Sequence, residues 1–352
     1  DCQYCFASTN LRHKKYCFLN EQLTKDEYEK KIREVNLGDR NVVEAWKKKF
    51  TELKARSVHR AHHNERSVDC TGDYIRDSKN CHSCFYVISS ENLAYSIGGQ
   101  KNRDCYDCVG GNGNELSYET WGFNAYHTKF SMDARMLRDC EYCDLCENCS
   151  DCFACIGLKN RSFCIFNTQY TEDEYWPLVD EIKTKMLADG EYGEFFPPAL
   201  CPVPYNISVA TSYQGYDNVE NALRYGYYAE ELPEGAQQTI GEEIRADDVP
   251  ADIKDVTDDI LEKVIVDEKN KKKFRYTRKE LDFHRQHNLA LPTEHYGVNL
   301  ARKRMETGPI DFDVKMRACA KCGKETQVTI PEGNPNAPKI IYCERCYNNA
   351  VI

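Results

Sequence analysis

The sequence has no apolar stretch near the roughly 18–20 residues that a membrane-spanning helix needs. It also has no phosphate-binding loop, no dinucleotide-binding fingerprint and no Ser/His/Asp grouping suited to nucleophilic catalysis. A signal peptide is not visible, and the chain starts with Asp1 inside a cysteine motif, which predicts a cut edge. We therefore expect no membrane partner, no small-molecule substrate and no enzymatic activity.

A strong positive charge is missing too. The net charge is −10, which disfavours indiscriminate binding to nucleic acid or anionic membranes. The charges are segregated, because residues 171–262 carry 5 Lys/Arg against 22 Asp/Glu. Residues 263–324 carry 16 Lys/Arg against 8 Asp/Glu. This asymmetry predicts separate acidic and basic parts that face each other.

What the sequence does have is twenty cysteines, most of them in [DN]-C-x-x-C steps. Equivalent positions recur every twelve residues at Asn80, Asn92 and Asp104, and again at Asp139 and Asp151. A short fixed period predicts stacked units that share one core. Twelve residues are too few for a helical hairpin and fit one coil of a narrow β-solenoid. Asn, Asp and Gly would form its corners, and cysteine would fill its interior as a small hydrophobic residue.

A longer duplication relates two segments at an offset of 147 residues. Its matching positions in the first copy are Leu11, Cys17, Asn20, Asp26, Glu27 and Tyr28, and in the second Leu158, Cys164, Asn167, Asp173, Glu174 and Tyr175. Each copy is predicted to leave the solenoid through a strand hairpin and to begin a helix at Thr24 or Thr171, where Thr-x-x-Glu predicts a capping box. The first copy should continue into a basic amphipathic helix over about residues 40–56.

The pattern predicts a mainly β protein with helical excursions, divided into five parts. These are the end of a first solenoid block with its helical insertion (1–68), a second β-solenoid block with a helix and a Pro/aromatic cap strapped over its end (69–228), an acidic linker (229–262), a basic, degenerate zinc-ribbon-like segment (263–308) and a zinc ribbon (309–352). A short helix is also expected near 256–266.

The strongest chemical signal is the terminal quartet of Cys319, Cys322, Cys343 and Cys346. Two C-x-x-C knuckles separated by 20 residues can bring four thiolates together around one Zn²⁺ ion. The segments 326–330 and 339–342 read as strands, with a Pro/Gly/Asn-rich hairpin loop between them. Six residues follow the last cysteine, which are too few for the helix of a treble clef, so the pattern predicts a ribbon. Four thiolate ligands leave no open position, so the zinc would be structural.

The other cysteine run contains Cys140, Cys143, Cys146, Cys149, Cys152 and Cys155. It lacks the change of spacing and the Cys-Pro of a ferredoxin. We interpret these residues as core cysteines, and a second zinc site, an iron–sulfur cluster or redox chemistry stay as alternatives. A large chain with long cysteine-free stretches favours a reducing, cytoplasmic setting over a secreted disulfide scaffold.

Two further groups have plain explanations. His59, His62 and His63 could bind a metal, but a solvated loop is the simpler interpretation. The basic patches at 269–276 and 302–304 could contact RNA, or they could neutralise the acidic segment.

The chain resembles a family of uncharacterised cysteine-rich, zinc-ribbon-containing proteins of candidate-phyla bacteria. The resemblance is carried by the block at 151–175, the segments Gly193–Pro197 and Pro204–Asn206, and the final C-x-K-C-G-K-E motif. It implies zinc binding and no established activity. It also implies an earlier ribbon whose ligand places hold Asp267, Lys269, His295 and Val298 here, which predicts a metal-free relic that serves as a docking surface.

These observations predict a non-enzymatic scaffold or interaction protein that binds Zn²⁺ and a protein partner. An RNA- or ribosome-associated zinc-ribbon protein is the alternative, and an iron–sulfur or redox protein is the third hypothesis.

Overall fold

The computed structural model describes residues 1–201, 203–212, 218–230, 241–306, 312–330 and 339–351. These residues form a mixed α/β protein with many small sheets. Its helices are α1 Lys25–Arg33, α2 Arg40–Arg56, α3 Glu172–Asp189, α4 Val219–Arg224, α5 Arg278–Gln286, α6 Tyr296–Glu306 and α7 Glu344–Ala350. Among these, the basic helix expected near residues 40–56 is confirmed as α2.

Most strands are short. They are β1 Gln3–Phe6, β2 Lys15–Phe18, β3 Glu21–Gln22, β4 Val58–Arg60, β5 Gly72–Asp73, β6 Lys79–His82, β7 Cys84–Phe85, β8 Glu91–Ala94, β9 Arg103–Tyr106, β10 Tyr118–Phe123, β11 Lys129–Arg135, β12 Ser150–Phe153, β13 Ser162–Ile165, β14 Thr168–Gln169, β15 Glu243–Arg245, β16 Val264–Asp267, β17 Lys272–Phe274, β18 Lys315–Ala318, β19 Glu325–Val328 and β20 Ile340–Tyr342.

Parallel pairing at a nearly constant register organises residues 64–167, which we call the parallel stack. Lys79 pairs with Glu91, and Glu91 pairs with Arg103, so paired positions are twelve residues apart. The same register continues through isolated bridges as far as Glu147 with Lys159. Two steps are a residue short: the first, where Glu65 pairs with Arg76, and a later one, which ends where the register shifts between Thr120 and Gly122. The twelve-residue spacing seen in the sequence is therefore the strand register, and we call the chain between paired positions a layer.

Within each layer the side chains follow a period of three. Nearly every third residue is buried from Ile75 to Thr120, and again from Gly122 to Cys155 after the shortened step. The residue before almost every one of these buried positions has a positive φ, as at Asp104 (52°) and Asp139 (52°), with Trp121 before Gly122 as an exception. A left-handed residue turns the chain, and Asp and Asn tolerate it better than most. In the D-C-x-x-C pattern, the Asp is therefore the turn residue, and the two cysteines occupy successive inward positions.

Hydrogen bonds between layers compensate for these turns. Around the left-handed Asp77, its own N–H donates to Glu65 O at 3.0 Å, and the N–H of Arg76 donates to Val87 O at 2.9 Å. Left-handed backbone costs roughly 1–2 kcal/mol for a residue other than Gly. Each backbone hydrogen bond contributes about 1 kcal/mol. Asp, Asn and Gly hold many of these turns, as expected, but Tyr86 and Phe130 are also left-handed.

Inward polar side chains form a hydrogen-bonded column through the core. The N–H of Ser90 donates to Ser78 Oγ at 3.1 Å, and the N–H of Asn102 donates to Ser90 Oγ at 3.1 Å. The N–H of Asn114 then donates to Asn102 Oδ1 at 2.9 Å. Because these buried groups satisfy one another, a narrow core can hold them without an unpaired polar atom.

The longer duplication is visible in three dimensions. Cys5 pairs in parallel with Cys17, and Cys152 pairs in parallel with Cys164. In each copy the chain then reverses into an antiparallel hairpin, with β3 after β2 and β14 after β13. This confirms the two predicted hairpins. We call residues 1–23 the N-terminal strand group.

Both predicted capping boxes are present. The N–H of Thr24 donates to Glu27 Oε2 at 2.9 Å, and the N–H of Thr171 donates to Glu174 Oε2 at 3.0 Å. Helix α3 buries Tyr175 and Val179 in a cluster with aromatic side chains of the parallel stack. It therefore lies on the hairpin that ends the stack.

The proline-rich segment after α3 lies elsewhere than predicted. Tyr192 packs edge-on against Phe130 and Tyr142, with ring centroids 5.9 and 6.1 Å apart. Tyr192 also donates a hydrogen bond to Glu141 Oε2 at 2.9 Å. These partners belong to successive layers, so this part of the segment lies along the side of the stack and not over its end.

The described part of the acidic segment differs from the expected linker. Val249, Ile253, Val256 and Ile260 are buried with Leu281 and Leu291 in one apolar cluster. Strand β15 pairs in parallel with β16, which pairs antiparallel with β17. Residues 258–261 are a 3₁₀ helix and 264–267 a strand, so the single helix expected near 256–266 is not formed. This core is hard to recognise in the sequence, because its few Val and Ile residues are surrounded by many carboxylates.

Candidate metal centre

The first cysteine pair lies in the turn between β18 and β19. These strands pair antiparallel, from Lys315 with Val328 to Ala318 with Glu325. The N–H of Cys319 donates to Lys324 O, and the N–H of Gly323 donates to Cys319 O, both at 2.9 Å. Gly323 has a φ of +72°, which closes the turn in a conformation that suits glycine. A tight turn of this kind holds two side chains three residues apart on the same side.

The second pair lies at the start of a helix, which corrects the sequence prediction. Cys343 is the N-cap of α7, and Cys346 lies in its first turn. The expectation that the six residues after Cys346 leave no room for a helix was wrong, because α7 begins at Glu344 and contains Cys346. The expected β19–β20 hairpin is also wrong, since β19 pairs with β18 and β20 pairs in parallel with β4. The loop predicted at 331–338 lies outside the described residues.

The four sulfur atoms lie together as the spacing predicted. One Sγ atom from each of Cys319, Cys322, Cys343 and Cys346 lies within 4.8 Å of the others. The Sγ atoms of Cys322 and Cys343 are 3.8 Å apart. Cys322 is exposed and the other three are buried. Four thiols at this separation could hold a single metal ion.

Backbone groups favour thiolates at this cluster. Burial opposes ionisation of Cys319, but N–H groups of Cys343, Cys322 and Lys321 lower the pKa of its thiol to about 6. The Cys343 N–H donates to Cys319 Sγ at 3.3 Å. Burial and the neighbouring thiols raise the pKa of Cys346 to about 12. One thiol thus ionises readily, while the last needs a cation to compensate the accumulated negative charge.

The donor set fits a thiophilic ion. Four cysteines with no oxygen or imidazole ligand suit Zn²⁺ or another soft metal and do not suit Mg²⁺ or Ca²⁺. All four donors come from the protein, so a tetrahedral ion would keep no position for a substrate. The chemistry available is therefore structural crosslinking.

The cysteines of the parallel stack are arranged differently. Cys140, Cys143, Cys146 and Cys149 are inward residues of one layer and belong to one buried cluster. Their thiols donate to backbone carbonyls, as from Cys140 Sγ to Arg138 O at 3.2 Å. Among the described residues, the terminal quartet is the one group of three or more potential metal ligands that converges. All twenty cysteines are free of disulfides. The geometry agrees with core cysteines.

The three histidines are not gathered into a site. His59 lies in β4 and its Nε2 is 2.9 Å from Lys54 O. His63 stacks on Tyr74 with ring centroids 4.4 Å apart. Burial lowers the pKa of His62. Among the described residues, these three histidines do not converge on a metal site.

The segment predicted to be a relic of a second ribbon packs with the described part of the acidic segment, through the β15–β16–β17 sheet and the apolar cluster around Leu281. Buried Asp267 accepts hydrogen bonds from the N–H of Asn270 at 3.1 Å and the N–H of His295 at 3.2 Å. Two of the places that the family resemblance assigns to lost ligands are therefore joined by a hydrogen bond.

Comparison with protein-family models and with curated proteins gives no match for this chain. Within the described ranges, no helix combines the length and the apolar character needed to cross a membrane.

Two features of the site escape sequence reasoning. The pairing of β20 with β4 joins residues about 280 positions apart, as Ile340 pairs with Val58, and short strands carry no partner signal. The second feature is the three-residue period of buried positions, which C-x-x-C disguises because a metal knuckle has the same spacing. Polar and apolar residues other than cysteine, such as Ser78, Ser90 and Leu93, occupy the same inward positions and are the signal that could have revealed this period.

Proposed function

We propose that this chain is a non-enzymatic, zinc-binding scaffold protein built on a cysteine-cored β-solenoid. The convergence of Cys319, Cys322, Cys343 and Cys346 within 4.8 Å carries the metal assignment. Zinc is the ion because a closed set of four thiolates matches its tetrahedral preference. A reducing, cytoplasmic setting would keep these thiols available.

The parallel register supports the solenoid. Inward positions repeat about every third residue from Ile75 to Cys155, and backbone hydrogen bonds join each layer to the next. Such a stack is stiff and leaves its outward positions free to vary. These are the properties of a scaffold that presents a surface to a protein partner.

RNA binding is the alternative, and the ion pairs of the basic segment weigh against it. Arg278 and Arg285 both contact Asp258, at 2.7 and 2.6 Å. Lys273 contacts Glu243. Basic residues engaged with the acidic segment are less available to phosphates. RNA binding with a steep salt dependence would restore this alternative.

Elemental analysis of protein purified without oxygen tests the metal assignment. We expect one zinc per chain, lost in a Cys319→Ser/Cys322→Ser variant. The matched control is Cys143→Ala/Cys146→Ala, which removes two cysteines of the same spacing from the stack and should keep the zinc. Two or more metals per chain, lost in the control variant, would show that the stack cysteines bind metal. Absorbance in the visible range would favour iron–sulfur chemistry.

A further inference from the structure

The C-terminal cysteine module, residues 312–330 and 339–351, contacts parts of the chain that lie far away in sequence. Strand β20 pairs in parallel with β4, residue for residue from Ile340 with Val58 to Tyr342 with Arg60. The N–H of Ala61 donates to Tyr342 O at 3.0 Å. Strand β4 leads directly into the parallel stack, so β20 covers a strand edge at the beginning of the stack.

The β18–β19 hairpin makes a second, separate contact with the stack. The Gln327 side chain accepts from the N–H of Gly72 at 3.1 Å and donates to Cys70 O at 3.3 Å. Thr329 donates to Asp73 Oδ2 at 2.7 Å, and both residues are buried. The Gln327 side chain thus forms the hydrogen bonds that a neighbouring strand would otherwise form with the backbone of Cys70 and Gly72.

Apolar packing backs both contacts. Ala61, Val328 and Ile341 form a buried cluster, with partly buried Ile330 against it. Ala61 follows β4 just before the stack, Val328 belongs to the hairpin and Ile341 to β20. The cluster therefore needs all three segments in place.

Helix α7 contacts the N-terminal strand group on its other side. Tyr347 donates to Asn10 Oδ1 at 2.9 Å, and Arg12 donates to Asn348 Oδ1 at 2.8 Å. Asn10 also donates to Val58 O at 2.6 Å. The module thus touches both the N-terminal strand group and the parallel stack.

The four cysteines lie next to the residues that make these contacts. Cys343 follows Tyr342 directly, and Cys346 precedes Tyr347 directly. The other pair lies in the turn that begins β19, the strand that carries Gln327. Apart from the thiols, a backbone hydrogen bond from Ala320 N to Ile341 O at 2.9 Å links the two halves.

We infer that metal binding by the four cysteines acts as a clasp, which holds the N-terminal strand group and the start of the parallel stack together. This inference rests on the proposed metal site. With the ion bound, the β18–β19 hairpin and the β20–α7 half form one rigid body. This body stays in contact with both the N-terminal strand group and the parallel stack. Without the ion the two halves lose their shared crosslink, β20 separates from β4, and an unpaired strand edge becomes accessible.

Amide hydrogen exchange on the full chain tests the clasp. Zinc-loaded protein is compared with protein treated with a chelator under reducing conditions. We expect exchange at Ala61 and Gly72 to accelerate on the order of tenfold or more, because their acceptors belong to the module. Lys129, whose N–H donates to Cys140 O at 3.0 Å in the middle of the stack, serves as the internal control.

A variant separates docking from metal binding. Thr329→Val removes the contact with Asp73 and leaves all four ligands, so it should keep one zinc and still accelerate exchange at Gly72. If zinc is bound and chelation leaves Ala61 and Gly72 protected, the clasp is wrong while the metal site stands. If no metal is found, the proposed function itself fails. Acceleration at Lys129 equal to that at Ala61 would mean global unfolding and would also overturn the clasp.

Discussion

Gly111 lies so close to the carbonyl oxygen of Gly122 in the next layer that a β-carbon on Gly111 would overlap that oxygen. Gly111 also has a φ of +82°, which disfavours any other residue. The contact lies beside the register shift between Thr120 and Gly122. Only a hydrogen atom fits between the two backbones at this position.

Gly111→Ala should destabilise the protein by about 2–4 kcal/mol, because backbone strain adds to a clash that backbone cannot relieve cheaply. Gly157→Ala is the matched control, since Gly157 also has a positive φ (68°) but has open space around it. The control should cost about 1 kcal/mol from strain alone. Urea unfolding of both variants measures the difference, and equal costs would refute the close contact.

Glu141 links the stack to α3 and to the segment that follows. Its Oε1 lies 2.9 Å from Lys183 Nζ, and its Oε2 accepts from Tyr192 at 2.9 Å. Burial opposes ionisation, but Lys183, Tyr192 and Lys129 together lower the pKa of Glu141. Glu141→Gln should therefore cost about 1–3 kcal/mol at neutral pH.

The pH dependence of this cost has a definite sign. A lowered carboxyl pKa stabilises the fold above the pKa of the unfolded chain, about 4.3 for Glu, and this stabilisation is lost as pH falls through the lower folded value. The difference in unfolding free energy between wild type and Glu141→Gln should be constant from pH 7 to about 5 and shrink below about 4. A difference that grows in acid would contradict the ion pair.

Thiol labelling should separate the core cysteines from the rest. Cys149 and Cys164 are buried, and burial raises the pKa of both thiols. Fewer thiolates and no access both slow alkylation. In zinc-loaded native protein, iodoacetamide should modify exposed Cys2 well before these two, as mass spectrometry of peptides can show. Denaturant should abolish the difference, and fast native labelling of Cys149 would contradict a packed core.

The two capping boxes offer a paired test of the duplication. Thr171→Ala should lower the free energy of global unfolding by about 1 kcal/mol, because α3 buries Tyr175 and Val179 against the parallel stack. Thr24→Ala removes the same cap from α1, which buries Tyr28 alone. We expect its effect on global unfolding to be smaller and confined to local opening of α1. Unfolding curves and amide exchange in each helix distinguish the two responses.

Local features of the fold could be predicted from sequence. The capping boxes at Thr24 and Thr171, helix α2, and the twelve-residue register each depend on residues close in the chain. The convergence of the four terminal cysteines also follows from spacing. Their physical causes are short-range, so a single sequence carries them.

Contacts over long distances could not be predicted. Nothing in residues 58–60 identifies Ile340–Tyr342 as their strand partner, because three-residue strands are too short to specify one. The acidic segment looked like a linker because its charge outweighs four buried aliphatic residues that meet only after folding. Helix α7 was not predicted because only the six residues after Cys346 were considered, whereas the helix begins at Glu344, between the two cysteines.

The three-residue period of the parallel stack sets the sizes in which it can be lengthened. Four inward positions complete a layer, so inserting twelve residues should add one layer and extend the stack by about 4.8 Å. An insertion of three or six residues would keep every inward side chain inward but rotate all that follows by a quarter or half turn. The length of an insertion therefore sets both how far the stack extends and in which direction the following segments point. A twelve-residue segment such as 140–151 is the unit with which the stack could be lengthened.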